Sequence, residues 1–139
     1  MLKGKSIEEM EIGEKASFTK TITETDVVNY AGVTGDFNPA HINEEYANDT
    51  MFEGRLAHGM LGAGLISTVL GTKLPGPGAI YVKQEVEFKA PVRFNDTITA
   101  KVEVVEKNEE KNRVIMDTVC TNQNDKIVID GKAVLMPPK

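Results

Sequence analysis

The sequence predicts an α+β domain in which an antiparallel sheet of about five strands wraps around one apolar helix. Three observations carry this. From His58 to Gly71 the chain reads HGMLGAGLISTVLG, with no charge after His58, so it lacks the polar face of a surface helix. Four later stretches alternate apolar and polar residues with short breaks between them, and short connections favour antiparallel pairing. The chain of 139 residues, 40% hydrophobic and 27% charged, suits a single domain spanning 1–139. A chain of that size buries roughly 68% of its unfolded surface, enough for a core without disulfides.

The elements follow in order. Lys15 to Thr23 reads as a strand, with Ala16, Phe18 and Ile22 on one face and Ser17, Thr19 and Thr21 on the other. Thr23 or Thr25 can cap a helix whose first turn holds Glu24 and Asp26, where the helix dipole favours acids. Val27, Val28, Tyr30 and Ala31 supply its apolar side, and Gly32 and Gly35 weaken and end it. Asp36-Phe37-Asn38-Pro39 is turn chemistry. His41 to Asn48 forms a short second helix, completing a helical overhang over 24–50, and Thr50 to Leu56 is loop.

The apolar helix over 58–71 is too short to cross a bilayer, which takes about 20 residues. With no polar face it is expected to be buried on nearly all sides. Gly59, Gly62, Gly64 and Ala63 leave room for other backbone to approach closely, at a cost in helix propensity for the glycines. Leu74-Pro75-Gly76-Pro77-Gly78 breaks the helix. In the strands that follow, Ile80, Val82, Val86 and Phe88 alternate with Tyr81, Lys83, Glu85 and Glu87. Ile98, Ala100, Val102 and Val104 alternate with Thr97, Thr99, Lys101 and Glu103. Arg113 to Thr121 and Lys126 to Met136 are the last two. The breaks at Asn95-Asp96, Asn108 to Asn112 and Asn122 to Asp125 read as hairpin turns.

Composition removes several classes of function. One cysteine, Cys120, rules out an internal disulfide framework, and inside an alternating strand it reads as a core thiol. With only His41 and His58, no metal centre is expected. The net charge of −5 argues against a nucleic-acid partner but leaves room for a small anion beside local cations such as Arg55, Lys73, Lys83 or Lys89. No apolar run opens the chain, so no secretion signal and no membrane segment are expected, and the cytoplasm is the expected location. The Asn-x-Thr triplets at Asn48 and Asn95 are then chance matches.

Chemistry concentrates in two places. Gly35-Asp-Phe-Asn-Pro-Ala-His41 puts a carboxylate and an imidazole five residues apart across a proline turn, which can aim both at one water. On spacing alone, an Asp capping a helix beside a packed His is the commoner arrangement. His58-Gly59 opens the apolar helix, whose first N–H groups lack partners and can hold a developing oxyanion; Gly59 serves close packing equally well. Ser67 within that helix either bonds a backbone carbonyl, the commoner case, or faces a pocket.

Tyr30-Ala-Gly-Val-Thr-Gly-Asp-Phe-Asn-Pro-Ala-His41 closely resembles the signature of the MaoC-like (R)-specific enoyl-CoA hydratases, or hydratase 2 enzymes. Ala57-His-Gly-Met60, Leu74-Pro-Gly-Pro-Gly-Ala-Ile-Tyr81 and Phe88-Lys-Ala-Pro-Val92 match the same family in order and spacing. Ala40 departs from it, standing where the signature usually has Leu, Ile or Val. The resemblance implies the hot-dog fold and reversible addition of water to trans-2-enoyl-CoA, giving (3R)-3-hydroxyacyl-CoA. It implies Asp36 and His41 as the catalytic pair, the Gly59 N–H as holder of the thioester oxygen, and Ser67 near the site. No metal or redox cofactor is implied, because the thioester itself acidifies the α-carbon and coenzyme A is part of the substrate. Single-domain bacterial members of the family often supply polyhydroxyalkanoate synthesis, and hot-dog hydratases commonly form homodimers with the CoA site at the subunit boundary. The alternatives are a hot-dog acyl-CoA thioesterase and a non-catalytic acyl-CoA-binding module.

Overall fold

Five strands form one antiparallel sheet in the computed structural model, which describes residues 2–139. The chain runs β1 (Lys15–Thr21), α1 (Glu24–Thr34), α2 (Pro39–Ile42), α3 (Glu44–Asn48), α4 (Gly59–Thr72), β2 (Ile80–Phe88), β3 (Thr97–Asn108), β4 (Arg113–Thr121) and β5 (Ile127–Met136). The strand order is β1-β3-β4-β5-β2, and each neighbouring pair is antiparallel. Among the described residues no helix is long and apolar enough to cross a membrane.

The inner face of α4 presents Leu65, Ile66, Val69 and Leu70. They are buried with Ile98, Ala100 and Val102 of β3, Met116 and Cys120 of β4, and Ile129 and Ala133 of β5. Gly62 has a packing reason to be there: a Cβ at that position would lie 2.8 Å from the Ile129 side chain. Burial pushes the Cys120 thiol up to about 12, and its Sγ lies 3.7 Å from the Gly62 carbonyl oxygen, so the core-thiol expectation holds.

Four expectations are corrected, the first being the single helix over 41–48, which Asn43 splits into α2 and α3. The helix predicted over 58–71 forms over Gly59–Thr72 but is not buried all round, since Gly59, Met60, Gly64, Ser67, Gly71 and Thr72 are exposed. A sheet covers only one side of a helix, and among the described residues nothing covers the other. The Asn95-Asp96 break is not a hairpin, because β2 pairs with β5 while β3 lies between β1 and β4. Asn95 does sit in a tight turn (φ 70°), but its N–H donates to the Ile22 carbonyl at 2.6 Å, outside any β2–β3 ladder. β2 departs from simple alternation too. Its register slips between Tyr81 and Lys83, and Ile80, Tyr81 and Val82 are all exposed.

The overhang follows local rules closely. Thr23 caps α1 in a capping box: its Oγ1 accepts from the Asp26 N–H at 3.2 Å, and Asp26 Oδ2 accepts from the Thr23 N–H at 2.9 Å. The hydrogen bond from Lys20, at 2.8 Å, is the main reason the Asp26 carboxyl is held below its ordinary value. Gly35, in the left-handed conformation at φ 82°, ends α1 by donating to the Ala31 carbonyl and turns the chain outward.

Candidate active site

The turn that leaves Gly35 carries the predicted pair. Asp36 Oδ1 accepts the Asn38 N–H at 3.2 Å, Asn38 Oδ1 in turn accepts the Ala40 N–H at 3.0 Å, and Pro39 opens the one-turn helix α2 that holds His41. This chain of Asx contacts sets the spacing between the two side chains. Asp36 is exposed and His41 half-buried.

His41 Nδ1 lies 2.7 Å from the Leu56 carbonyl oxygen. A carbonyl can only accept, so Nδ1 carries the proton, and Nε2 of the neutral ring is left as an acceptor. One side-chain ligating atom from each of Asp36, His41 and His58 lies within 4.8 Å of the others. A water bridging two acceptors by hydrogen bonds of about 2.8 Å spans roughly 4.5 Å, a separation of that same order. The His41 and His58 rings are tilted against each other, centroids 3.9 Å apart and 31° between planes.

Next to His41 opens a cavity of about 460 Å³ lined by Phe52, Leu56, Met60, Phe88, Val92 and Ile129, among others, with Gly59 at its wall. The lining is mostly apolar, as an acyl chain requires. Gly59 is the first residue of α4, so its N–H has no acceptor within the helix, and His58 supplies no side-chain cap. A Cβ on Gly59 would meet the Phe88 ring at 2.7 Å. Both readings of Gly59 are therefore physically open: the N–H is free, and the packing is tight.

Ser67 is not brought to the pair. It lies eight residues beyond Gly59 along α4, roughly 12 Å at 1.5 Å per residue. There it lines a separate groove of about 340 Å³ with Met60, Gly64, Tyr81 and Gln84. The backbone hydrogen bond expected for its hydroxyl belongs instead to Thr68, which donates to the Gly64 carbonyl at 3.2 Å. Beside that groove, partial burial pushes the Tyr81 phenol up to about 12.

Two site residues escaped the sequence reading. His58 is buried, and its Nε2 lies 2.9 Å from the Asp36 carbonyl oxygen. Arg55 donates from Nε to the His41 carbonyl at 2.8 Å and from an Nη to Glu24 at 2.7 Å, with its guanidinium over the Phe94 ring. Arg55 thus braces the turn from within the chain. The other three cations are engaged as well: Lys73 on the Ser17 carbonyl, Lys83 with Glu85 and Lys89 with Glu87. The family-matched segment Ala57-His-Gly-Met60 was the one signal that could have marked His58.

A sheet wrapped on one helix, with an Asp-His turn beside an apolar cavity at that helix's start, defines a hot-dog protein of the hydro-lyase class. The MaoC like domain family matches residues 8–125, and the chain belongs to that family. It is 54% identical over 131 residues to an (R)-specific enoyl-CoA hydratase of Rhodospirillum rubrum, covering 94% of this chain and 90% of the relative. Among solved structures it is similar to the R-hydratase PhaJ1 of Pseudomonas aeruginosa, with a TM-score of 0.93 and 44% identity over 99% of this chain and 88% of that one. It is also similar to the (R)-hydratase of Aeromonas caviae involved in PHA biosynthesis, with a TM-score of 0.90 and 39% identity over 93% of this chain and 98% of that one.

Proposed function

We propose that the chain, as one unit over 1–139, is an (R)-specific enoyl-CoA hydratase in which Asp36 and His41 hold the attacking water. The observation that carries the mechanism is the fixed His41 tautomer, with Nδ1–H on the Leu56 carbonyl and Nε2 turned into an acceptor. A water between the two groups donates one hydrogen to the Asp36 carboxylate and the other to His41 Nε2. Its oxygen attacks the β-carbon of the trans-2-enoyl thioester, and Asp36 takes the proton as the new C–O bond forms. The electron pair of the double bond moves through the α-carbon onto the thioester oxygen, which the Gly59 N–H stabilises. The enolate then collapses and the α-carbon takes the proton back from Asp36 on the same face. One water has been added, and the carboxylate is regenerated. The chemistry draws on no metal or redox cofactor, because the thioester accepts the charge.

The (3R) product is the class of monomer used in polyhydroxyalkanoate synthesis, where the A. caviae relative works, and we assign this chain to the same supply role in the cytoplasm. The working unit is a homodimer. β2 is a sheet edge with Ile80, Tyr81 and Val82 exposed, and beside it lies the uncovered α4 face with Met60, Gly64 and Ser67. A second copy seated there would cover both and bring the Ser67 groove into the assembled site.

The deciding assay follows crotonyl-CoA by loss of its conjugated double bond and, in parallel, by release of free thiol. The hydratase reading expects the first signal without the second. Thiol release would make the chain a thioesterase, and CoA binding without either signal a binding module. Sedimentation at micromolar concentration tests the dimer: a fully active species near 15.2 kDa would sink it.

A further inference from the structure

We infer that His58 is a positioning residue for the catalytic carboxylate, acting on the main chain of Asp36 and not on the substrate. Three observations converge. His58 is 3% exposed, at the N-cap of α4, where it forms no capping bond. Its Nε2 donates to the Asp36 carbonyl at 2.9 Å, a contact spanning 22 residues of chain. Its ring packs against both Tyr30, 4.5 Å away by centroid, and His41, at 3.9 Å, so two aromatic neighbours help set its position.

The carbonyl acceptor fixes the proton on Nε2, so the two histidines hold opposite tautomers: Nδ1–H on His41 and Nε2–H on His58. The His58 Nδ1 is buried and has no partner among the described residues. A buried acceptor left unpaired is destabilising. A Phe or Leu would fill the same space without that penalty. What a hydrocarbon could not supply is the donor at Nε2. Asp36 is exposed, and among the described residues its carboxylate accepts only from the Asn38 N–H, so the main-chain grip from His58 restrains the residue that must meet the water. A carboxylate displaced by about 1 Å costs up to roughly 100-fold in rate, so the restraint matters to turnover more than to binding.

The inference rests on the hydratase reading for its kinetic consequence but not for its structural one. The chain has only two histidines, so ¹⁵N-histidine labelling of the wild-type protein shows both tautomers without a background. His41→Ala removes one set of signals and assigns the other. The expected result is Nε2–H for His58, and a proton found on its Nδ1 would overturn the inference whatever the activity. In kinetics, His58→Phe keeps the ring volume and loses the donor, while His58→Gln restores an N–H near the Nε2 position. With crotonyl-CoA, the Phe variant is expected to lose roughly 10–100-fold in kcat with KM nearly unchanged, and the Gln variant to recover part of that loss. In an Asp36→Asn background His58→Phe should cost almost nothing further, because it acts through the lost carboxylate. Full activity of the Phe variant, or losses that multiply in the double variant, would refute the positioning role. If wild type fails to hydrate crotonyl-CoA, the hydratase reading falls and the tautomer result still stands or fails by itself.

Discussion

The two faces of one helix, α4, are built for different work. The inner face of α4 is a continuous apolar surface, Leu65, Ile66, Val69 and Leu70, matched by strands at every turn. The outer face is open, with Met60, Gly64, Ser67, Gly71 and Thr72 exposed, and beside the helix start stands a turn whose catalytic residues are exposed or half-buried. The inner face is held by many weak contacts that tolerate substitution in proportion to volume. The turn is held by a few hydrogen bonds to main-chain carbonyls at residues 36, 41 and 56, each of which fixes one side chain or one residue. Stability and chemistry thus rest on different kinds of interaction within a few ångströms of each other.

Substitutions can pull the two apart. Asp36→Ala and His41→Ala should each lower kcat by about 10²–10⁴-fold and leave the melting temperature nearly unchanged, since neither side chain is in the core. Crotonyl-CoA turnover alongside a thermal melt checks this, and near wild-type rates in both variants would dismiss the assignment. Ile66→Ala should do the reverse, destabilising by about 2–5 kcal/mol while the folded fraction keeps its kcat, as read from urea titrations and active-site-normalised rates.

The third test uses pH. The Cys120 thiol ionises near 9 when unfolded and about 12 when folded, so between those values the unfolded chain holds fewer protons. Stability is therefore full below about 9 and falls as pH rises, a slope that denaturant midpoints will show and that Cys120→Ala should reduce. Tyr81 moves in the same direction, from 10.0 to about 12, and Lys5, Lys89 and Lys132 are held above the ordinary lysine value by their carboxylate partners, so part of the slope should remain. The smallest effect is on the overhang. Gly32 lies inside α1, with open space where a Cβ would go. Gly32→Ala should gain about 0.5–1 kcal/mol without changing kcat, and a loss of stability would mean that α1 is covered in the working molecule.

Local signals made much of this legible. The proline turn pairing Asp36 with His41, the Thr23 cap and the run of α4 are all written within a few residues of where they act. The strand order is not, because a turn signal such as Asn95-Asp96 reports that the chain bends and says nothing about which strand lies alongside. The open face of α4 was unreadable for another reason. An apolar residue shows that something will cover it, but not whether the cover comes from the same chain. His58 and Arg55 grip main-chain carbonyls 22 and 14 residues away, and such contacts leave no period or spacing in the sequence.

The sheet order also dictates a schedule for folding. β3, β4 and β5 pair through short turns, but β1 pairs with β3 across about eighty residues, with Thr19 opposite Thr99. Closing so long a loop costs entropy before any contact repays it, so the central meander should form first and β1 should dock late. During synthesis β1 and the catalytic turn leave the ribosome with no sheet to join, and they wait for most of the chain before the overhang can settle on α4. Pulsed hydrogen exchange during refolding would find β4 amides protected ahead of those in β1. The site's machinery, first to be made, would then be among the last parts of the molecule to take its final shape.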